Sequence, residues 1–110
     1  MLKKKRETKL NPMNKEKFKL KIFDRKTLLK EVELILNEII IGSDEDCNIR
    51  LNHPTIYPKH VKITIDRDTI YIEPISIGAF LFILDKKIEN KTIFDKGNRV
   101  KIGNFSIEIT

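Results

Sequence analysis

The chain has 110 residues, 40% of them hydrophobic and 35% charged, with a formal net charge of +6 and a single cysteine. That length holds one hydrophobic core and excludes two, and no apolar run approaches what a membrane-spanning helix needs. Cys47 alone cannot form an internal disulfide, which suits a reducing, cytoplasmic setting. The basicity is uneven: residues 1–17 hold seven lysines and arginines against two glutamates, and the remainder holds fifteen against fourteen acids. A nucleic-acid-binding domain carries a basic face of its own. The excess charge therefore reads as a flexible, solvated N-terminal tail, with no apolar segment behind it to make a secretory signal.

From Phe18 onward the pattern is β. In "FKLKIF" Phe18, Leu20 and Ile22 share one face and Lys19 and Lys21 the other. "DRKT" reads as a turn, and "EVELIL" alternates again through Val32, Leu34 and Leu36. A helical reading of "RKTLLKEVELILNEI" is available through Leu28, Val32 and Ile35, but the absence of other long helical segments favours a strand. "EIIIG" is an apolar strand, followed by the acidic loop "SDEDC" and a second short strand. "HVKITI", "TIYIEP", "FLFIL", "KKI", "RVKI" and "FSIEI" follow as short period-two runs. They are rich in Ile, Val, Phe and Thr and separated by Asp, Asn, Gly and Pro, the pattern of an all-β sandwich or barrel. Gly97-Asn98 and Gly103-Asn104 suit tight turns, and Val100, Ile102, Phe105, Ile107 and Ile109 supply one closing hairpin to the core.

Three segments in this order resemble the forkhead-associated (FHA) domain family. "IIIGSDEDCNIRLNHPTIYPKHVKI" is similar to its apolar strand, Gly-Arg, acidic loop, short strand and Ser-x-x-His. Gly42, Cys47, Ile49, Leu51, Pro54 and His60 stand in register without a gap. "YIEPISIGAFLFILDKKI" lies where the family has Ser-Thr-Asn-Gly-Thr-Phe-Val-Asn-Gly, and "DKGNRVKIGNFSIEI" resembles its closing hairpin. The resemblance covers residues 18–110 and implies an eleven-stranded antiparallel β-sandwich, with phosphothreonine peptides bound by loops at one end.

The resemblance also marks departures. Ser43 stands where the family has a phosphate-binding arginine, Tyr57 where it has a phosphate-binding serine, and Ala79 and Phe80 where it has Asn-Gly. Gly42 and His60 match, as structural supports of the loops. A serine hydroxyl does not reproduce the charge-assisted bonds of an arginine fork, and each lost bond to a charged group is worth about 1.5–3 kcal/mol. Asp44, Glu45 and Asp46 add negative charge where a dianion would sit. The residues thus point to a non-catalytic protein–protein interaction module. It would bind a protein or peptide independently of phosphate, through loops containing Ser43, Thr55, Tyr57, Lys59, Ala79 and Phe80.

A phosphothreonine reader with a rearranged pocket is the alternative, with Lys59 or Arg50 as replacement cation. Contact of the basic tail with nucleic acid or an anionic membrane is a second alternative. Tyr57 reads either as an exposed anchor or as a plug in the vacated pocket. Phe82 reads as core, and Phe80 as part of an apolar patch with Leu84. No nucleophile elbow, glycine-rich phosphate cradle or paired-carboxylate site is present. Cys47 with His53 or His60 is read as structural rather than catalytic. Asp44, Asp46 and His53 lack metal-site spacing, so no cofactor is expected.

Overall fold

A computed structural model describes residues 18–110; the basic tail, residues 1–17, lies outside them. Eleven strands follow one another: β1 (Phe18–Asp24), β2 (Thr27–Leu34), β3 (Glu38–Gly42), β4 (Ile49–Arg50), β5 (Val61–Asp66), β6 (Thr69–Pro74), β7 (Leu81–Ile83), β8 (Lys86–Ile88), β9 (Thr92–Ile93), β10 (Arg99–Ile102) and β11 (Phe105–Ile109). They form a six-stranded sheet in the order β2-β1-β11-β10-β7-β8 and a five-stranded sheet in the order β4-β3-β5-β6-β9. Period-two alternation puts one face of each strand inside. Leu20 and Ile22, Ile41, Val61 and Ile63, Ile72, Leu81, Val100 and Ile102, and Ile107 are all fully buried between the sheets. Among the described residues no helix is long and apolar enough to cross a membrane.

The expected all-β sandwich is the observed one, and its pairing is antiparallel with one exception. β3 and β4 run parallel through Ile41↔Ile49 and Gly42↔Arg50. The Asn48 carboxamide supports this short pairing, its Oδ1 accepting the Ile40 N–H at 2.7 Å. Other differences are local. β2 begins at Thr27 and ends at Leu34, so Leu36 is exposed in the turn beyond it. Thr92–Ile93, too short to show a period, forms an edge strand on β6. Gly103-Asn104 makes the β10–β11 hairpin turn, whereas Gly97-Asn98 lies between β9 of one sheet and β10 of the other, its turn closed by the Asn98 N–H on the Asp95 carbonyl.

Phe82 corrects the expectation of a core residue. Leu81 and Ile83 take the inner face of β7, which leaves Phe82 half-buried on the outer face opposite Lys87 and Lys101.

Candidate functional site

Loops 43–48, 51–60 and 75–80 meet at one end of the sandwich, and a set of hydrogen bonds makes them one surface. The Ser43 and Asp44 N–H groups donate to the Tyr57 and Pro58 carbonyls at 3.0 and 3.2 Å. The Ser76 hydroxyl donates to the Lys59 carbonyl. Gly42 permits the first of these contacts: a Cβ there would lie 2.0 Å from the Pro58 carbonyl oxygen, closer than any side chain allows. The Cys47 thiol donates to that same oxygen at 3.1 Å. Burial pushes the thiol pKa up, against the opposing pull of Lys59, which favours the protonated form.

His60 holds the loops from inside. Its side chain is 2% exposed. Nδ1 accepts the Tyr57 N–H at 3.1 Å and Nε2 faces the Phe80 carbonyl at 3.0 Å. These partners fix the tautomer: Nδ1 accepts, so the proton sits on Nε2 and is donated to Phe80. The His60 N–H donates to the Ile41 carbonyl, and its own carbonyl accepts the Ile75 N–H. Burial lowers the imidazole pKa below its ordinary 6.5, partly offset by the bond to Phe80. The ring thus bridges the Tyr57 and Phe80 backbones, and its burial favours the neutral form.

The outer rim is organised differently. Lys59 Nζ lies 3.0 Å from Asp44 Oδ2 and 3.3 Å from Asp46 Oδ1, and these two bonds raise its pKa. Arg50 Nε donates to the Ser43 carbonyl at 2.8 Å. Both cations that could replace the missing phosphate-binding arginine thus have partners within the protein. Glu45 adds a further negative charge to the same loop.

Tyr57 lies across the middle of this surface. Its ring meets His60 edge-on with centroids 5.5 Å apart. Its hydroxyl occupies the space beside Gly78, whose Cβ, if present, would lie 2.6 Å from Oη and whose φ is +86°. The ring thus packs against His60 between the loops and remains 40% exposed. Phe80 is exposed too, with Lys87 Nζ 3.7 Å from its ring centroid, a cation–π contact. Phe80 and Leu84 do not form one patch, because they line separate concavities at opposite ends of β7.

Of two further residues expected to face a partner, one is buried and the other, Thr55, is exposed but bonded within the chain. Ala79 is buried, its N–H on the Ser76 carbonyl, so it presents neither side chain nor amide. The Thr55 hydroxyl contacts His53 Nδ1 at 2.9 Å and accepts the Asn104 N–H at 3.1 Å, pinning the loop to the β10–β11 hairpin. His53 stacks edge-on against Phe105 there. The residue that sequence reasoning missed is Ile77, fully exposed at the loop tip. It borders a concavity of about 370 Å³ shared with Ile75, Gly78, Phe80 and Ile88.

The FHA domain profile matches residues 39–103, a span that contains every loop just described. The chain belongs to the FHA domain family. FHA domains are protein–protein interaction modules that typically bind phosphopeptides and are generally non-catalytic. Solved structures share the fold. The FHA domain of the CT664 protein from Chlamydia trachomatis is 24% identical, covering 86% of this chain and 97% of its own, with a TM-score of 0.78. The cytoplasmic domain of the T3SS sorting platform protein PscD from P. aeruginosa is 15% identical over 84% of this chain and 78% of its own, with a TM-score of 0.74. Mycobacterium tuberculosis EmbR, solved with a low-affinity phosphopeptide, is 16% identical over 86% of this chain and 24% of its own, with a TM-score of 0.73. No curated protein matches the sequence.

Proposed function

We propose that this FHA domain binds an unmodified protein partner, without reading phosphate, through the rim formed by Tyr57, Ile77 and Phe80. The observation that carries this reading is the Lys59 ammonium held between Asp44 and Asp46, beside a serine in place of the family arginine. A phosphate entering there meets three carboxylates and must take Lys59 from two of them. The rim beside it is apolar and open: Tyr57, Ile77 and Phe80 are exposed, and exposed aromatics with a neighbouring apolar concavity are the anchors that protein partners use. The loops behind are fixed by His60, so the rim needs little reorganisation on binding.

The test is an NMR titration of the full chain with matched phosphothreonine and unphosphorylated peptide pools at low salt. Shifts of the Ser43 and Tyr57–His60 amides are expected to be no larger with phosphate than without it. Phosphate-dependent shifts at those amides, lost in Lys59→Ala, would establish a rearranged phosphothreonine pocket instead.

A further inference from the structure

The outer face of the six-stranded sheet contains a second, unassigned surface at the β7–β8 tip. Strand register defines it. One cross-strand row on that face runs Arg99↔Glu108↔Lys21↔Glu31, and Lys19↔Glu33 lies beyond it, so each cation has a carboxylate directly opposite. The neighbouring row runs Lys87↔Phe82↔Lys101↔Ser106↔Phe23↔Leu28 and contains no carboxylate. Lys101 thus stands between Phe82 and Ser106, and it makes no ion pair among the described residues. Arg99, by contrast, is held 2.9 Å from Glu108 and over the Phe23 ring.

The turn above this row is unusual. Leu84 and Asp85 have φ of 52° and 65°, the two positive values of a type I′ hairpin, where Asn-Gly is the favoured pair. A leucine in that conformation is strained, and this one is also 83% exposed. The positive φ closes the β7–β8 hairpin, but an exposed leucine adds nothing to the core there. An apolar side chain presented in this way is available for a contact outside the chain. Leu84, Phe82, Lys101, Arg99, Ser106 and Asp85 line one concavity of about 590 Å³.

We infer that this concavity docks a peptide segment presenting one carboxylate beside one large apolar side chain. Lys101 receives the carboxylate, while Leu84 and Phe82 cover the apolar group. Asp85 and Glu108 at the margin oppose a polyanion, which favours an acidic peptide over single-stranded nucleic acid. This inference is independent of the apical rim, since the two surfaces share no residue.

The probe is a pool of hexapeptides, each carrying one Glu next to Leu or Phe, with a matched pool carrying Gln for Glu, titrated into the full chain by NMR. The Glu pool is expected to shift the Phe82–Lys86 and Arg99–Lys101 amides, and the Gln pool to shift them less. Lys101→Gln is expected to weaken the response by up to about fivefold, the upper end for an exposed ion pair. Leu84→Asn places a residue that tolerates positive φ in the turn, so it is expected to keep or raise the melting temperature while abolishing the shifts. Equal shifts from both pools, or none at these amides, overturn the inference. So do shifts at the tip that appear only with oligothymidylate, which assign it to nucleic acid, or that appear on raising the chain's own concentration, which assign it to self-association.

Discussion

The inner and outer halves of the apical loops obey opposite rules. Inside, His60 is buried with both ring nitrogens and both backbone polar groups bonded, and Gly42 leaves no room for another residue. Outside, Tyr57, Ile77 and Phe80 are exposed, and the charged residues bond to one another across the surface. The support has no tolerance and the surface has much, so a binding specificity can be rewritten on an unchanged frame.

That contrast can be broken from the inside first. Gly42→Ala forces a backbone shift at Pro58 and is expected to cost about 3 kcal/mol or more, read as a fall in midpoint on urea unfolding. His60→Ala leaves the Tyr57 N–H and the Phe80 carbonyl without their partner, and the expected loss is about 2–4 kcal/mol, measured the same way. His60 also gives the fold a pH dependence. Its folded pKa is lowered from 6.5 by burial, so the unfolded chain binds the proton more tightly. Its contribution is complete above pH 6.5 and is lost as the pH falls towards the depressed value, with a slope of at most about 1.4 kcal/mol per pH unit. Unfolding midpoints followed from pH 7.5 downward check this, and the His60→Ala chain is expected to lose that component. Smallest is the effect on the rim: Ile77→Ala and Phe80→Ala are expected to change stability by less than about 1 kcal/mol. Both should nonetheless reduce binding of an apical partner by tenfold or more, as central anchors do. A rim substitution that unfolds the domain would erase the distinction between support and surface.

Much of the frame was legible from the sequence because it rests on period and spacing. Alternation in "FKLKIF", "HVKITI" and "FSIEI" placed the inner residues correctly, and Gly42 and His60 matched the family's supports. What escaped was set by neighbours distant in sequence. Phe82 turned outward because Leu81 and Ile83 hold the inner face of β7, a choice of phase that "FLFIL", apolar throughout, does not reveal. Ala79 was expected at the surface from its matching position alone. Lys59 was legible as a cation but not as one held by Asp44 and Asp46, which lie thirteen and more residues earlier. Thr55 was legible as a loop residue, yet its hydroxyl accepts from Asn104, forty-nine residues away. Ile77 gave one usable signal: a lone isoleucine between serine and glycine in a turn has no strand to bury it.

The pairing of β1 with β11 also bears on how the chain folds. β3, β4, β5, β6 and β9 all fall within residues 38–93, so the five-stranded sheet needs no strand from outside that span. The six-stranded sheet needs segments far apart in sequence: β1 lies between β2 and β11, so the sheet is complete only once β11 has paired. Until then β1 has only the β2 hairpin, which a lone two-stranded ribbon holds weakly, and closing so long a loop is slow. The Asn104 N–H that fixes Thr55 comes from the turn between β10 and β11. The loop around Thr55 therefore takes its final arrangement only when the β10–β11 hairpin has joined the sandwich.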